Sequence, residues 1–127
     1  MNKEHTNYLF TKYPTLYQQH ALPMQETCMC WGFECGDGWF LIIDNLSKQI
    51  TEIDPDVEAV QVKEKFGGLR FYIGPVAKAT ADKVYDAISE AEDLVYKTCE
   101  YCGSTKNVKQ TTTGWIKTLC KDCRKEK

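Results

Sequence analysis

Val60-Gln61-Val62-Lys63-Glu64-Lys65-Phe66-Gly67-Gly68-Leu69-Arg70-Phe71-Tyr72-Ile73 alternates apolar and polar side chains on both sides of a glycine pair. Alternation with a period of two marks half-buried strands, and two glycines between such runs supply the positive φ angles of a two-residue hairpin loop. The pattern predicts a hairpin turning at Gly67-Gly68, with Phe66 opposite Leu69, Glu64 opposite Phe71 and Lys65 opposite Arg70. Gly74-Pro75 ends it.

Helical spacing appears on both sides of the hairpin. Upstream, Trp39, Ile42, Ile43, Leu46, Ile50 and Ile53 recur at steps of three and four, Asp37 is placed to cap the helix, and Asp54-Pro55 stops it. Downstream, Ala77, Ala81, Val84, Ile88, Ala91 and Val95 form one stripe of a helix expected over 76–98. Residues 1–27 predict one or two short helices broken at Pro14 and Pro23, and residues 28–38 a strand or loop closed by glycines.

The long helix leads into Cys99-x2-Cys102 and, after seventeen residues, Cys120-x2-Cys123. A two-residue gap lets both thiolates of a knuckle reach one ion, and two knuckles complete a closed tetrahedral site. One structural Zn²⁺ is expected on Cys99, Cys102, Cys120 and Cys123. Iron in a Cys₄ site is the rival, but no glycine follows the second knuckle. Between the knuckles, 108–112 and 115–119 flank Thr113-Gly114 and suggest a second hairpin. A segment this short builds no core of its own, so the metal would hold it together. The fold expected is α+β: a β-hairpin packed by two helices over 1–98, and a Cys₄ zinc ribbon over 99–127 docked through the long helix.

Composition narrows the function. The 127 residues are 43% hydrophobic, enough for a core, with no apolar run of transmembrane length and no apolar leader, so a soluble cytoplasmic protein is expected. Seven cysteines in such a chain suit a reducing compartment. Residues 1–98 carry 9 Lys and Arg against 15 Asp and Glu, while 99–127 carry 7 against 3. Four thiolates around one Zn²⁺ reduce the ribbon's excess to about +2, which weakens a nucleic-acid reading.

Other candidates carry chemistry in outline. Cys28, Cys30 and Cys35 would form a second metal cluster if His20 or Asp37 supplied a fourth ligand; buried thiols are the alternative. Cys35 with His20 is the one conceivable nucleophile and base. Glu64 stands on the apolar face of the hairpin, as a raised-pKa acid or as a paired structural carboxylate. Lys63, Lys65, Arg70 and Tyr72 on the opposite face suit a nucleic acid or a partner protein, or only solubility. No G-x-S-x-G, H-E-x-x-H or P-loop is present, so an enzyme is the minority expectation.

Gly32-Phe33-Glu34-Cys35-Gly36-Asp37-Gly38-Trp39, Gln61 to Tyr72, Cys99-Glu100-Tyr101-Cys102-Gly103 and Thr118-Leu119-Cys120 resemble a family of small proteins of bacteriophages and bacterial mobile elements. In that family the ribbon tends to close with a histidine where this chain has Cys123, an exchange that zinc accepts. The resemblance implies a phage-type accessory protein in a bacterial host's cytoplasm. Its expected action is binding a host protein, with inhibition of a defence or nucleic-acid-processing complex as one form. A nucleic-acid-binding ribbon module and a hydrolase or nucleotide-modifying enzyme are the alternatives.

Overall fold

The computed structural model describes residues 1–112 and 114–124. They form an α+β fold: α1 (Lys3–Lys12), β1 (Phe33–Glu34), α2 (Phe40–Ile53), β2 (Ala59–Lys65), β3 (Gly68–Ile73), α3 (Ala81–Val95), β4 (Lys109–Gln110), β5 (Thr118–Leu119) and α4 (Lys121–Arg124). Strands β2 and β3 make the expected antiparallel hairpin, and β1 adds a parallel edge strand with Phe33 beside Val62. That third strand is two residues long, too short to show alternation in sequence.

The hairpin register differs by one loop position from expectation. Glu64 pairs with Leu69, Lys63 with Arg70 and Lys65 with Gly68, so the loop is Phe66-Gly67. Both residues have positive φ, 54° and 82°, as a primed two-residue turn requires. Gly68 is unavailable for the turn because it is packed under α3's C-terminal end. A Cβ there would meet the Tyr96 hydroxyl oxygen at 2.4 Å. Phe66 takes its place and points into solvent. At the other end of β2 an irregularity between Ala59 and Gln61 lets both Ala59 and Val62 face the core.

Helix α2 buries Ile42, Ile43, Leu46 and Ile50, following directly on a 3-10 turn at Asp37–Trp39 that buries Trp39. Asp37 does not cap it; its carboxylate is turned towards α1. Helix α3 begins at Ala81, not 76. Thr80 N and Ala81 N both bond Ala77 O in a closing turn, and Thr80 Oγ1 donates to Asp54 Oδ2 at 2.7 Å. Its buried residues are Val84, Ala87, Ile88, Ala91 and Val95. The stripe's first member, Ala77, lies outside the helix and exposed. Helices α2 and α3 pack on each other, and α3 runs along β3. The N-terminal region closes the core with Leu9, Tyr13, Leu16 and Tyr17; the Tyr17 hydroxyl bonds Ser47 Oγ inside it.

The ribbon is a second, smaller cluster of Cys99, Leu119 and Cys120, with Val108 and Cys123 packed on it. Its hairpin pairs Lys109 with Leu119 and Gln110 with Thr118. Thr113, expected in its loop, lies outside the described residues. No helix among those described is long and apolar enough to cross a membrane.

Candidate metal centre and the groove beside it

The first knuckle turns through Gly103, at φ 80°, with Cys99 N donating to Ser104 O and Gly103 N to Cys99 O. The second lies on α4, where Arg124 N donates to Cys120 O. Together they bring the four sulfurs of Cys99, Cys102, Cys120 and Cys123 within 4.8 Å of one another, with Cys102 Sγ and Cys120 Sγ 3.6 Å apart. Zinc–sulfur bonds of about 2.3 Å at tetrahedral angles put sulfurs about 3.8 Å apart, so the donors and spacing fit one Zn²⁺. Burial pushes the Cys99 thiol up, but backbone N–H groups of Cys120, Cys102 and Tyr101 outweigh this and bring it down to about 6. Four protein ligands leave no open position, so the ion is structural.

Both long sequence motifs are seats for this ribbon. In the first, Gly38 N donates to Glu100 O at 2.7 Å and Gly36 N to Glu100 Oε2 at 2.9 Å. A Cβ on Gly38 would lie 2.1 Å from Cys99 O and 2.6 Å from Glu100 O, and one on Gly36 would lie 2.4 Å from Glu100 O. The two glycines are there because backbone meets backbone. Trp39 completes the seat by donating Nε1–H to Thr98 O at 2.9 Å.

The second seat is the hairpin tip. Thr118 Oγ1 donates to Gly67 O, and Glu64 Oε2 accepts from Gly67 N at 2.7 Å. Lys117 Nζ then bridges Glu64 Oε1 at 2.9 Å and Glu100 Oε1 at 3.3 Å. Glu100, only 2% exposed, is satisfied by Gly36 N–H and Lys117. Burial lowers the Lys117 pKa, but the Glu64 hydrogen bond and the two carboxylate charges outweigh it and hold it above its ordinary value. Glu64 is thus a paired carboxylate. Glu100 and Lys117 were not legible as partners, because a carboxylate between two metal ligands and a lysine in a ribbon strand look solvated in sequence.

Asp37 is the motif residue left over for the surface. It accepts from Asn2 N at 2.7 Å and bonds His5 Nδ1 at 3.0 Å, while the His5 ring stacks on Phe40 at 3.9 Å. The Asn2 N–H, against a smaller cost of burial, holds its carboxyl below the usual range. This pair lines a groove of about 620 Å³ whose other walls are the start of α2 (Phe40, Leu41), the end of α3 and the turn after it (Leu94, Thr98), and the first knuckle (Cys102, Thr105). Leu41 is 69% exposed and Leu94 49%.

The remaining candidates separate. Cys28, Cys30 and Cys35 are not gathered: the one group of potential metal ligands among the described residues is the ribbon's. Met29 points inward between Cys28 and Cys30, leaving Cys28 exposed and Cys30 half-buried, its thiol against Thr27 O. Cys35 sits in the core, where burial pushes its thiol up to about 12, the reverse of an activated nucleophile. His20 is stacked on Phe10. Lys63, Arg70 and Tyr72 do share the sheet's outer face, with Glu34 beside Lys63, and Lys65 follows them to the tip. No protein-family model matches the chain, and no curated protein or solved structure matches it either.

Proposed function

We propose that this zinc-binding chain is an adaptor that acts by holding a partner protein in the groove between α2, α3 and the first knuckle. The observation that carries the reading is the groove itself, an open apolar trough with Leu41 and Leu94 exposed along it. Exposed leucines on facing helix ends suit the apolar side chains of a docked peptide segment. The zinc ion's part is to fix the knuckle that forms one wall. In keeping with the sequence resemblance, the partner is a protein of a bacterial host, and occupying it would inhibit a defence or nucleic-acid-processing complex.

Immobilised zinc-loaded protein should retain a defined host protein that Leu41→Asp and Leu94→Asp each release by at least tenfold. Both positions are exposed enough for the variants to keep their thermal midpoint. Equal retention of the same proteins by wild type and both variants would rule the groove out.

A further inference from the structure

The two hairpin tips lie side by side and present a surface that the groove does not use. A second cavity of about 260 Å³ is lined by Lys63, Glu64, Lys65, Phe66, Trp115 and Ile116. Trp115 is 86% exposed and Phe66 64%. Phe66 is also in the left-handed region at φ 54°, where a side chain costs energy that asparagine or glycine largely avoids. Its ring recovers little by burial, so the fold gains little from phenylalanine at this position. Strain kept at an exposed aromatic points to recognition.

The charges around the rings indicate what is recognised. Lys65 Nζ lies 5.6 Å from the Phe66 ring centroid. Among the described residues, neither Lys63 nor Lys65 has a carboxylate within ion-pair distance. Glu64, the acid in the cavity wall, is paired with Lys117, which it shares with Glu100, and accepts the Gly67 N–H. Two exposed π-faces beside two unpaired ammonium groups suit a polymer of stacked rings and negative charges. We infer that the paired tips, through Phe66, Trp115, Lys63 and Lys65, bind single-stranded nucleic acid by stacking on its bases and contacting its phosphates. The site lies at the sheet's end, is separate from the groove, and does not depend on a protein partner there.

The test is fluorescence anisotropy of a labelled twelve-nucleotide oligothymidylate with the zinc-loaded full chain, starting at 50 mM salt. Two phosphate contacts on a single strand predict that affinity falls roughly sevenfold between 50 and 200 mM salt. Trp115→Ala should weaken binding about fivefold or more. Phe66→Asn should weaken binding too, yet raise the thermal midpoint by relieving the turn, which separates recognition from folding. Lys63→Gln with Lys65→Gln should flatten the salt dependence. Absence of binding at 50 mM salt would overturn the inference. So would binding that survives Trp115→Ala with Phe66→Asn, or displacement of the oligonucleotide by polyglutamate as readily as by unlabelled oligothymidylate.

Discussion

Gly38 and Gly114 show how differently one residue type is used. At Gly38 a methyl group would have to displace two carbonyl oxygens of the first knuckle, and backbone cannot step aside as a side chain can. Gly38→Ala should cost about 3 kcal/mol in a denaturant titration, the upper part of the range for overpacking, and should weaken zinc binding with it. Gly114 has positive φ but nothing within 4 Å. There alanine meets only its own backbone strain, about 1 kcal/mol. Equal costs at the two positions would mean that the knuckle does not press on the loop. Lys117 makes the complementary case for charge. Lys117→Met removes the cation from between Glu64 and the buried Glu100, with an expected loss of about 3 kcal/mol at neutral pH. Because the Lys117 pKa is raised above 10.5 on folding, its contribution is fully present below that pH and declines as pH climbs through the folded value. Stability curves of wild type and variant should therefore run parallel through neutral pH and converge in alkali.

Among the elements, the ribbon is the one with least core of its own, and it is tied to the rest through its two seats. Chelating the zinc removes binding energy of about 10–16 kcal/mol. The loss should spread to both seats. Hydrogen exchange should then show the amides of Gly38, Glu100 and Gly67 losing protection together, while those inside α2 stay protected. Protection at Gly38 that outlasts the metal would make the ribbon a self-supporting unit. How legible these elements were follows from where their reasons lie. The hairpin strands β2 and β3, both long helices and the Cys₄ spacing announce themselves through period and interval, which are local properties of the chain. The turn at Phe66-Gly67 does not, because its position is decided by Tyr96, nearly thirty residues away. Trp39 reads correctly as core, yet its Nε1–H bond to Thr98 O could not be read from spacing. The glycines of 36–38 read as turn signals, whereas they are required by a close approach of two backbones.

At the scale of the whole molecule, the ribbon's four cysteines are the one gathered group of potential metal ligands among the described residues, which sets the metal count to be expected. Elemental analysis should give one zinc per chain, unchanged in Cys28→Ser and Cys30→Ser and lost in Cys102→Ser; two zinc ions would reopen a second centre. The charge asymmetry also takes on a physical form. Lys117, counted among the ribbon's basic residues, faces inward onto carboxylates, one of them from the acidic body, so part of the apparent basic excess is spent within the fold and is not offered to solvent.

The seating of the ribbon on two earlier motifs has a consequence for synthesis. Ribosomes deliver Gly36 to Trp39 and Glu64 to Gly68 well before Thr118 emerges to bond Gly67 O. Until then the hairpin tip lacks its partner, the Glu100 carbonyl that the Gly38 amide meets stands on a knuckle not yet closed, and the helices between them are already made. The nascent chain must wait for its last knuckle and for an ion to close it. Zinc scarcity would then appear as proteolysis of newly made, full-length chains, with abundance falling before any surviving molecule lost its ability to bind.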